Sequence, residues 1–436
     1  MKKIIIILII WTISILGVSF WTFENPEKFE KFKNILKNEK ETKIKRAKNP
    51  DGTNVIKEYC QSYKKGDFIE CKITANAFTL KLKKILSLSE KTAFIENSSD
   101  SKKFKSENLK IFTQNGNVYT NLKATKLNLP NHFTLDRNGG VKNIISIEDY
   151  KLALISSNIK DCYFASIILL NTGKEIFKTK CLPEIAKNND FNGLGSSNIH
   201  YKNKILFSLG TPEKHASKNS KLAQDVNSFF GKILSIDKEE LITSIKKQEN
   251  LNINIFSIGH RVPQGITLMN NKIFSVEHGP KGGDELNLIE ENNNYGWPNV
   301  SYGTNYLKEG GGDGSAYFLS HENDNYDEPL FAFVPSVGIS SLNNCPKKLK
   351  NYYKKPCLMA LSLYGNTLRK GYSMIIFLLN EEMDKVHSIE KISTGKLVLR
   401  HFVTNKFNEL YEDADGSIYI SADKKGIYKF SFEEFR

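Results

Sequence analysis

Short runs of β-forming residues, each followed by an Asn, Gly or Asp turn, recur from residue 141 to residue 430 and constrain the fold more than any other feature. Four of these passages read VKNIISIEDYKLALISS, CYFASIILLNTGKEIFKTKC, GITLMNNKIFSVEHG and FNELYEDADGSIYISADKKGIYKF. Long amphipathic helical patterns are few, so the repetition favours an all-β array over an α/β fold. The pattern alone leaves a sandwich, a barrel and a propeller open.

The stretch from Ser257 to Tyr306 is unusually rich in Gly, Pro, Asn and acidic residues. Sharply turning backbone uses Gly and Pro, and a hard cation takes carboxylate and carbonyl oxygens. The segment EHGPKGGDELN within this stretch therefore indicates a loop that holds an ion. An ordinary polar surface turn is the alternative, because the same residue types dominate turns.

Three motifs in this stretch resemble, in order and spacing, those of the soluble aldose (glucose/sorbosone) dehydrogenase family. They read GHRVPQGI, EHGPKGGDELN and NNYGWPNVSYGTNY, and weaker similarity extends from about Phe191 to the C terminus. The resemblance implies an all-β, six-bladed β-propeller. It also implies calcium and pyrroloquinoline quinone (PQQ) as cofactors, a histidine as catalytic base, and a small-molecule sugar or related alcohol as substrate.

The resemblance assigns a metal site to the middle motif. Gly279 and Pro280 match the positions whose carbonyls bind calcium beside the quinone. Asp284 and Glu285 match an acidic pair that resembles a second, structural calcium site. Alternatively, these carboxylates cap turns and pair with Lys281.

The cofactor contacts implied by the resemblance are Arg261, Tyr364 and Lys406. Arg261 matches the arginine of an Arg-Asn-Pro motif, although Val262 replaces the asparagine. Tyr364 stands where the soluble glucose enzymes usually have a PQQ-binding lysine. Lys406 begins the segment KFNE, which aligns with an Arg-x-Arg-Asp pattern. We therefore expect fewer cations around the cofactor than the family pattern supplies.

The catalytic base is missing from its expected place. The family pattern of a histidine followed by x-Gly-Ser aligns with GLGS, so Gly193 occupies the histidine position and Asn192 precedes it. Neither residue accepts a proton near neutral pH. The identity of the base is therefore unknown, and His200 and His215 are the downstream histidines to consider. Gln224 and the residue after it match a strand entry of the family and support the alignment.

Two functions follow from these observations. The first is an exported PQQ- and calcium-dependent sugar dehydrogenase-like oxidoreductase with its pocket on one face of the propeller. The alternative is a non-catalytic, calcium-stabilised propeller that binds a saccharide or a protein partner. A hydrolase is disfavoured, since the sequence shows no convincing Ser/His/Asp order and no signature of two catalytic carboxylates.

The N-terminal residues predict export. Lys2 and Lys3 precede an apolar run over residues 4–23, which is long enough for a spanning helix. A signal peptide cleaved near Gly17 is the alternative to a membrane anchor. Either way, we expect the bulk of the chain in a periplasmic or other extracytoplasmic compartment.

The predicted domain organisation has three parts: residues 1–23 as anchor or signal peptide, residues 24–105 as a charged tether with a small β-containing region, and residues 106–436 as the propeller. An alternative assigns Asp67–Ile95 to a first blade. The formal net charge of +14 comes from lysines scattered along the whole sequence. Without a basic patch interleaved with aromatic residues, this excess does not indicate nucleic-acid binding.

The six cysteines form three couples that are close in sequence: Cys60 and Cys71, Cys162 and Cys181, and Cys345 and Cys357. None has the C-x-x-C spacing of zinc or thioredoxin-like sites. The spacings predict disulfides in an oxidising compartment, with connectivity left open and buried free thiols as the alternative.

Overall fold

Six antiparallel sheets make up the fold in the computed structural model, which confirms the predicted six-bladed β-propeller. The structure describes residues 57–63, 67–98, 103–130, 139–160, 162–183, 194, 197–211, 217–305, 321, 325–363, 372–394 and 397–436. Over these ranges, no helix is both long and apolar enough to cross a membrane. The predicted anchor at residues 4–23 lies outside the described residues.

Twenty-six strands are present in the described residues. Three precede the first four-stranded blade: β1 (Lys57–Tyr63), β2 (Asp67–Thr74) and β3 (Thr79–Leu86). The next twelve form three blades: β4 (Thr92–Asn97), β5 (Leu109–Thr113), β6 (Asn117–Thr120) and β7 (Lys123–Lys126); β8 (Gly140–Ile147), β9 (Tyr150–Ile159), β10 (Cys162–Leu169) and β11 (Lys174–Lys178); β12 (Asn198–Tyr201), β13 (Lys204–Leu209), β14 (Lys232–Asp237) and β15 (Asn254–Ile258).

Two further blades and three final strands complete the set. The blades are β16 (Val262–Met269), β17 (Lys272–His278), β18 (Asp284–Ile289) and β19 (Phe331–Phe333), then β20 (Ile339–Asn344), β21 (Cys357–Ser362), β22 (Ser373–Leu379) and β23 (Val386–Ser393). The final strands are β24 (Leu399–Phe402), β25 (Ile418–Ala422) and β26 (Gly426–Glu433). Short helices lie between strands: a 3-10 turn (Ser106–Asn108), α1 (Ser217–Lys221), α2 (Lys238–Lys247) and α3 (Lys347–Tyr353).

The sixth sheet joins the two ends of the described chain. Its strand order is β1-β2-β3-β26-β25-β24, and β3 pairs with β26 so that Leu82 lies opposite Phe430. In addition, β4 pairs with β5 across the predicted boundary at residue 106. That boundary was wrong because it cuts through a sheet, whereas the alternative of blade strands within Asp67–Ile95 agrees with the pairing.

One edge strand of each sheet lies against the corresponding strands of its neighbours, and these inner strands are β4, β8, β12, β16, β20 and β24. The bridge between Glu96 and Thr404 shows that the end of β4 and the segment after β24 run parallel. We call the end of the propeller where inner strands begin the start end, and the opposite end the finish end. Functional residues are placed below by these two ends.

The core lies between the blades, because each sheet packs its apolar face on the next sheet. In β21 and β22, every residue is buried. Phe377 of β22 packs edge-to-face on Phe333 of the preceding blade, with ring centroids 6.0 Å apart. Such aromatic contacts bury large areas and fix how adjacent blades are oriented.

Disulfides connect two of the predicted cysteine couples, Cys162 to Cys181 and Cys345 to Cys357. Cys71 is also disulfide-bonded, and Cys60 lies opposite it in the β1–β2 register. The sequence-local couples therefore correspond to pairs of neighbouring strands or loops.

Candidate functional site at the start end

Strands β16 and β17 bring the first two motifs of the Ser257–Tyr306 stretch together at the start end. Val262 pairs with His278, which places Arg261 beside the turn that begins at Gly279. These elements border a small cavity of about 10 Å³, which is lined by Gly259, Arg261, Glu277, His278, Gly279, Glu285, Tyr295, Trp297, Val300 and Ser301. The third motif contributes Trp297, so all three motifs meet at one place.

Arg261 is buried and held in a fixed direction. Its Nη1 donates to the carbonyl of His278 at 2.9 Å, and its guanidinium carbon Cζ lies 5.4 Å from the ring centroid of Trp297. Its backbone N–H donates to Glu277 Oε2 at 2.8 Å. A planar guanidinium that is held in this way is suited to binding a carboxylate.

The turn between β17 and β18 needs glycine because the backbone is crowded. A Cβ on Gly279 would lie 2.0 Å from the carbonyl oxygen of Gly283. Gly283 itself has φ +69°, and a Cβ there would lie 2.6 Å from the amide nitrogen of Gly303. The glycines of the middle motif are therefore required by close packing, whether or not an ion is bound.

Asp284 binds the backbone of its own turn and of the next blade. Its Oδ1 accepts from Gly279 N–H at 3.1 Å, and its Oδ2 accepts from the N–H groups of Val337, Gly338 and Ile339 at 2.9, 2.6 and 3.0 Å. Oδ2 therefore has no capacity left for a metal, and only Oδ1 retains some. The observed role of this carboxylate is to hold the beginning of β20 against β18.

Glu285 and Glu277 form a buried, oxygen-rich group with Asn287. The amide Nδ2 of Asn287 donates to Glu277 Oε1 at 2.7 Å and to Glu285 Oε2 at 3.3 Å. Burial, and next the charge of Glu277, raise the pKa of Glu285 well above its usual value. Asn287 Oδ1 is buried and has no hydrogen-bond partner among the described residues. Two carboxylates with an unused amide oxygen are hard ligands of the type that calcium prefers.

This oxygen-rich group falls short of a complete metal site. Within the described ranges, no three or more His, Cys, Asp or Glu side chains are placed to hold a metal ion. Any bound cation would therefore need backbone carbonyls in addition to these side chains.

A Ser-His-Glu chain of hydrogen bonds lies behind the cavity. His260 lies 2.8 Å from Ser257 Oγ through Nε2 and 3.2 Å from Glu277 Oε1 through Nδ1. Ser257 and His260 are fully buried, and neither lines the cavity, while His260 stacks on Tyr295. A substrate cannot reach the serine hydroxyl, so this chain positions Glu277 and does not act as a nucleophilic triad.

Two of the predicted residues lie at the finish end, away from Arg261. Lys406 follows β24 and lines a cavity of about 420 Å³ with Asn97 and Ser146, which lie at the ends of β4 and β8. His200 is the third residue of β12, and its Nε2 lies 2.9 Å from the carbonyl oxygen of Ser146. Lys406, the predicted cofactor contact, therefore lies at the opposite end from the Arg261 cavity, because the chain after β24 continues at the finish end.

The remaining predicted residues divide into described and undescribed ones. Gln224 exchanges two side-chain hydrogen bonds with Asn294, at 2.7 and 3.0 Å, and donates to the carbonyl of Trp297 at 2.7 Å. Gln224 therefore holds the third motif in place through three hydrogen bonds. The other residues lie outside the described residues: Asn192, Gly193, His215 and Tyr364.

The sequence analysis missed four basic residues at the start end: Lys91, Lys142, Arg400 and His401. Lys91 directly precedes β4, and Lys142 is the third residue of β8. Arg400 and His401 are the second and third residues of β24. His401 Nδ1 lies 3.1 Å from Thr92 Oγ1, and burial lowers its pKa to about 3. The only sequence signal was a pair of basic residues inside the apolar run VLRHFV.

Comparison with known proteins gives a consistent result. The family model for glucose/sorbosone dehydrogenases matches residues 168–429. The aldose sugar dehydrogenase YliI of Escherichia coli (strain K12) is 30% identical over 130 residues, which cover 29% of this chain and 33% of that protein. The chain matches 45% or less of the length of such curated relatives.

Solved structures share the propeller. The soluble aldose sugar dehydrogenase of Escherichia coli in the apo-form superposes with a TM-score of 0.60 at 19% identity, covering 81% of this chain and 99% of that one. The PQQ-bound aldose sugar dehydrogenase of Streptomyces coelicolor superposes with a TM-score of 0.52 at 15% identity, covering 81% and 98%. At these identities, the matches show a common fold.

Proposed function

The chain belongs to the glucose/sorbosone dehydrogenase family, and from this premise we propose that it is an exported oxidoreductase that oxidises an aldose or related alcohol with PQQ and calcium at the start end. The observation that carries the proposal is the meeting of Arg261, Gly279 and Trp297 at one cavity. Each residue comes from a different family motif.

The residues present fit calcium in two ways. The turn at Gly279 and Pro280 is buried and crowded, so its carbonyls are held in place without side-chain interference. Behind it, the unpartnered Asn287 Oδ1 and the buried carboxylate of Glu285 are groups that a divalent cation would stabilise. A bound cation would also lower the pKa of Glu285, which burial otherwise raises.

The residues also fit the acidic quinone in part. Arg261 would hold one of its carboxylates, because the guanidinium is already directed by the His278 carbonyl and by Trp297. When bound, PQQ supplies a hydride acceptor whose oxygens calcium polarises. The residues around the cavity would orient the cofactor and exclude water.

The family's histidine position does not provide a proton acceptor in this chain. Gly193 occupies the family's histidine position, and His200 lies at the finish end. We therefore expect slow turnover in the wild type. Introducing a base by Gly193→His should increase sugar oxidation by about a hundredfold or more, if cofactor binding is retained.

The non-catalytic alternative is favoured by one specific observation, which is the position of Lys406 at the finish end. Of the predicted cofactor contacts that the structure describes, Arg261 lies at the start-end cavity and Lys406 does not. In this alternative, the calcium-stabilised propeller binds a saccharide or a protein partner without turnover.

Location outside the cytoplasm is part of the proposal. The disulfides Cys162–Cys181 and Cys345–Cys357 support an oxidising compartment, as does the predicted anchor or signal at residues 4–23.

The test is to add PQQ and calcium to the purified protein and to follow quinone absorbance and dye reduction with a panel of aldoses. Binding with turnover that is lost in Arg261→Ala and retained in Lys406→Ala supports the dehydrogenase. Binding without turnover supports the non-catalytic alternative. Absence of quinone binding at micromolar PQQ with millimolar calcium would contradict the proposal.

A further inference from the structure

Three cations lie at the beginnings of three consecutive inner strands, and we call them the start-end cation cluster: Lys91, Lys142 and Arg400. The inner strands β24, β4 and β8 are neighbours around the propeller axis. Lys91 directly precedes β4, and Lys142 and Arg400 are the third and second residues of β8 and β24. The fold thus brings together residues that are far apart in sequence. Thr92 and His401, the neighbours of Lys91 and Arg400, are 309 residues apart, yet their side chains lie within hydrogen-bonding distance.

The cluster is largely shielded from solvent, and its charges repel one another. Lys142 is 8% exposed, and its pKa is lowered to about 7, mainly by burial and then by the charges of Arg400 and Lys91. Burial, followed by the Arg400 charge, also lowers the pKa of Lys91. Like charges held together at low exposure are unfavourable unless an anion compensates them.

Arg400 is held ready for such an anion. Its Nε and Nη2 both donate to the carboxylate of Asp423, and the two side chains are 17% and 12% exposed. This pairing fixes the plane of the guanidinium and leaves its other N–H groups for a further acceptor. Asp423 therefore orients Arg400 as well as partly neutralising the cluster.

The cluster faces the same region as the Arg261 cavity. Arg261 directly precedes the inner strand β16, so it lies at the same end of the propeller, around the same axis, as the three cations. This shared location favours a ligand with more than one acidic group.

We propose that Lys142 and Arg400, supported by Lys91, form a carboxylate-binding subsite of the start-end pocket, replacing the charge that the sequence pattern placed at Lys406. The subsite deepens the proposed function, on which its preferred ligand depends. The carboxylate belongs either to the tricarboxylate PQQ or to an acidic sugar such as a uronate. Both sources require the same pair of cations.

The experiment compares single-charge variants at opposite ends of the propeller. Lys142→Gln and Arg400→Gln each remove one positive charge from the subsite, and Lys406→Gln removes one from the finish end as the matched control. PQQ affinity is measured by equilibrium dialysis and absorbance, with calcium present, independently of turnover. Losing one charge-assisted contact should weaken binding about 10- to 100-fold in the first two variants and less than about twofold in the control.

A second pair of measurements identifies the source of the carboxylate. Thermal melting with glucuronate and with glucose tests whether an acidic sugar stabilises the wild type and Lys406→Gln but not Lys142→Gln. The double variant Arg400→Gln with Asp423→Asn keeps the local charge balance and should fold if Arg400→Gln alone does not. It should nevertheless bind PQQ as weakly as Lys142→Gln.

The outcomes separate this subsite from the proposed function. If the wild type binds PQQ and all single variants bind it equally well, the subsite is refuted and the function stands. If the wild type does not bind PQQ but glucuronate stabilises it in a Lys142-dependent way, the function fails and the subsite stands with a sugar acid as ligand. If neither ligand binds, both are refuted.

Discussion

Replacing Asp284 by asparagine separates a structural role of this residue from a metal-binding one. Its carboxylate accepts four backbone hydrogen bonds, three of them at Oδ2. An amide oxygen can still accept those three, but each becomes a neutral bond that is weaker by about 1 kcal/mol. The amide NH₂ then faces the N–H of Gly279 and leaves that donor unsatisfied, which costs about 1 kcal/mol more.

The sum predicts that Asp284→Asn lowers the free energy of unfolding by about 3–4 kcal/mol, a large part of the 5–15 kcal/mol of a typical domain. The assay is urea unfolding in excess EDTA, so that no calcium contributes. Asp384→Asn, at an exposed carboxylate that accepts from Asn380, is the matched control and should change stability by less than about 0.5 kcal/mol. If Asp284→Asn matches the wild type in EDTA and differs only in calcium, the residue acts through the metal, and the reasoning from hydrogen bonds is wrong.

Three other predictions concern the ion, the buried lysine and a disulfide. Calcium should raise the melting temperature of the wild type in a concentration-dependent way, and Glu285→Gln should reduce that increase; equal increases in both proteins would exclude Glu285 as a ligand. Lys142 has a folded pKa of about 7 against about 10.4 when unfolded, so its burial destabilises the fold fully below pH 7 and progressively less up to pH 10.4. Lys142→Met should therefore stabilise the protein by up to about 4–5 kcal/mol at pH 6 and hardly at pH 11 in denaturant titrations, and a pH-independent difference would contradict this. Removing the Cys345–Cys357 bond by a double Cys→Ala substitution should lower stability by about 3 kcal/mol. Thermal unfolding under oxidising conditions checks this, and a melting temperature equal to that of the wild type would contradict it.

The fold could be predicted because its signals are local. Turn residues between short β-forming runs are readable in the sequence, and the three motifs around Arg261 and Gly279 keep their order and spacing. The domain boundary could not be read in the same way, because the pairing of β3 with β26 depends on residues at opposite ends of the described chain. Strand pairing at such a separation has no local signature.

The site was predicted in part, for a similar reason. Arg261 and Gly279 meet as expected, since β16 and β17 form a hairpin. Lys406 aligned with an arginine pattern in sequence, but the chain between β24 and β25 makes an excursion to the finish end that alignment cannot show. Asp284 had the right chemistry for calcium, and only coordinates reveal that backbone N–H groups already use most of its acceptor capacity.

The sheet shared by β3 and β26 also sets the order in which the molecule can be completed. Thr79 and Glu434, which hydrogen-bond beside this seam, are 355 residues apart, so β3 waits for nearly the whole chain to be synthesised before its partner exists. Until β26 is made, β3 and β25 each expose an unpaired edge, and such edges can pair with other chains. Nonsense mutations that remove only the final dozen residues should therefore yield aggregated protein instead of a shorter soluble propeller.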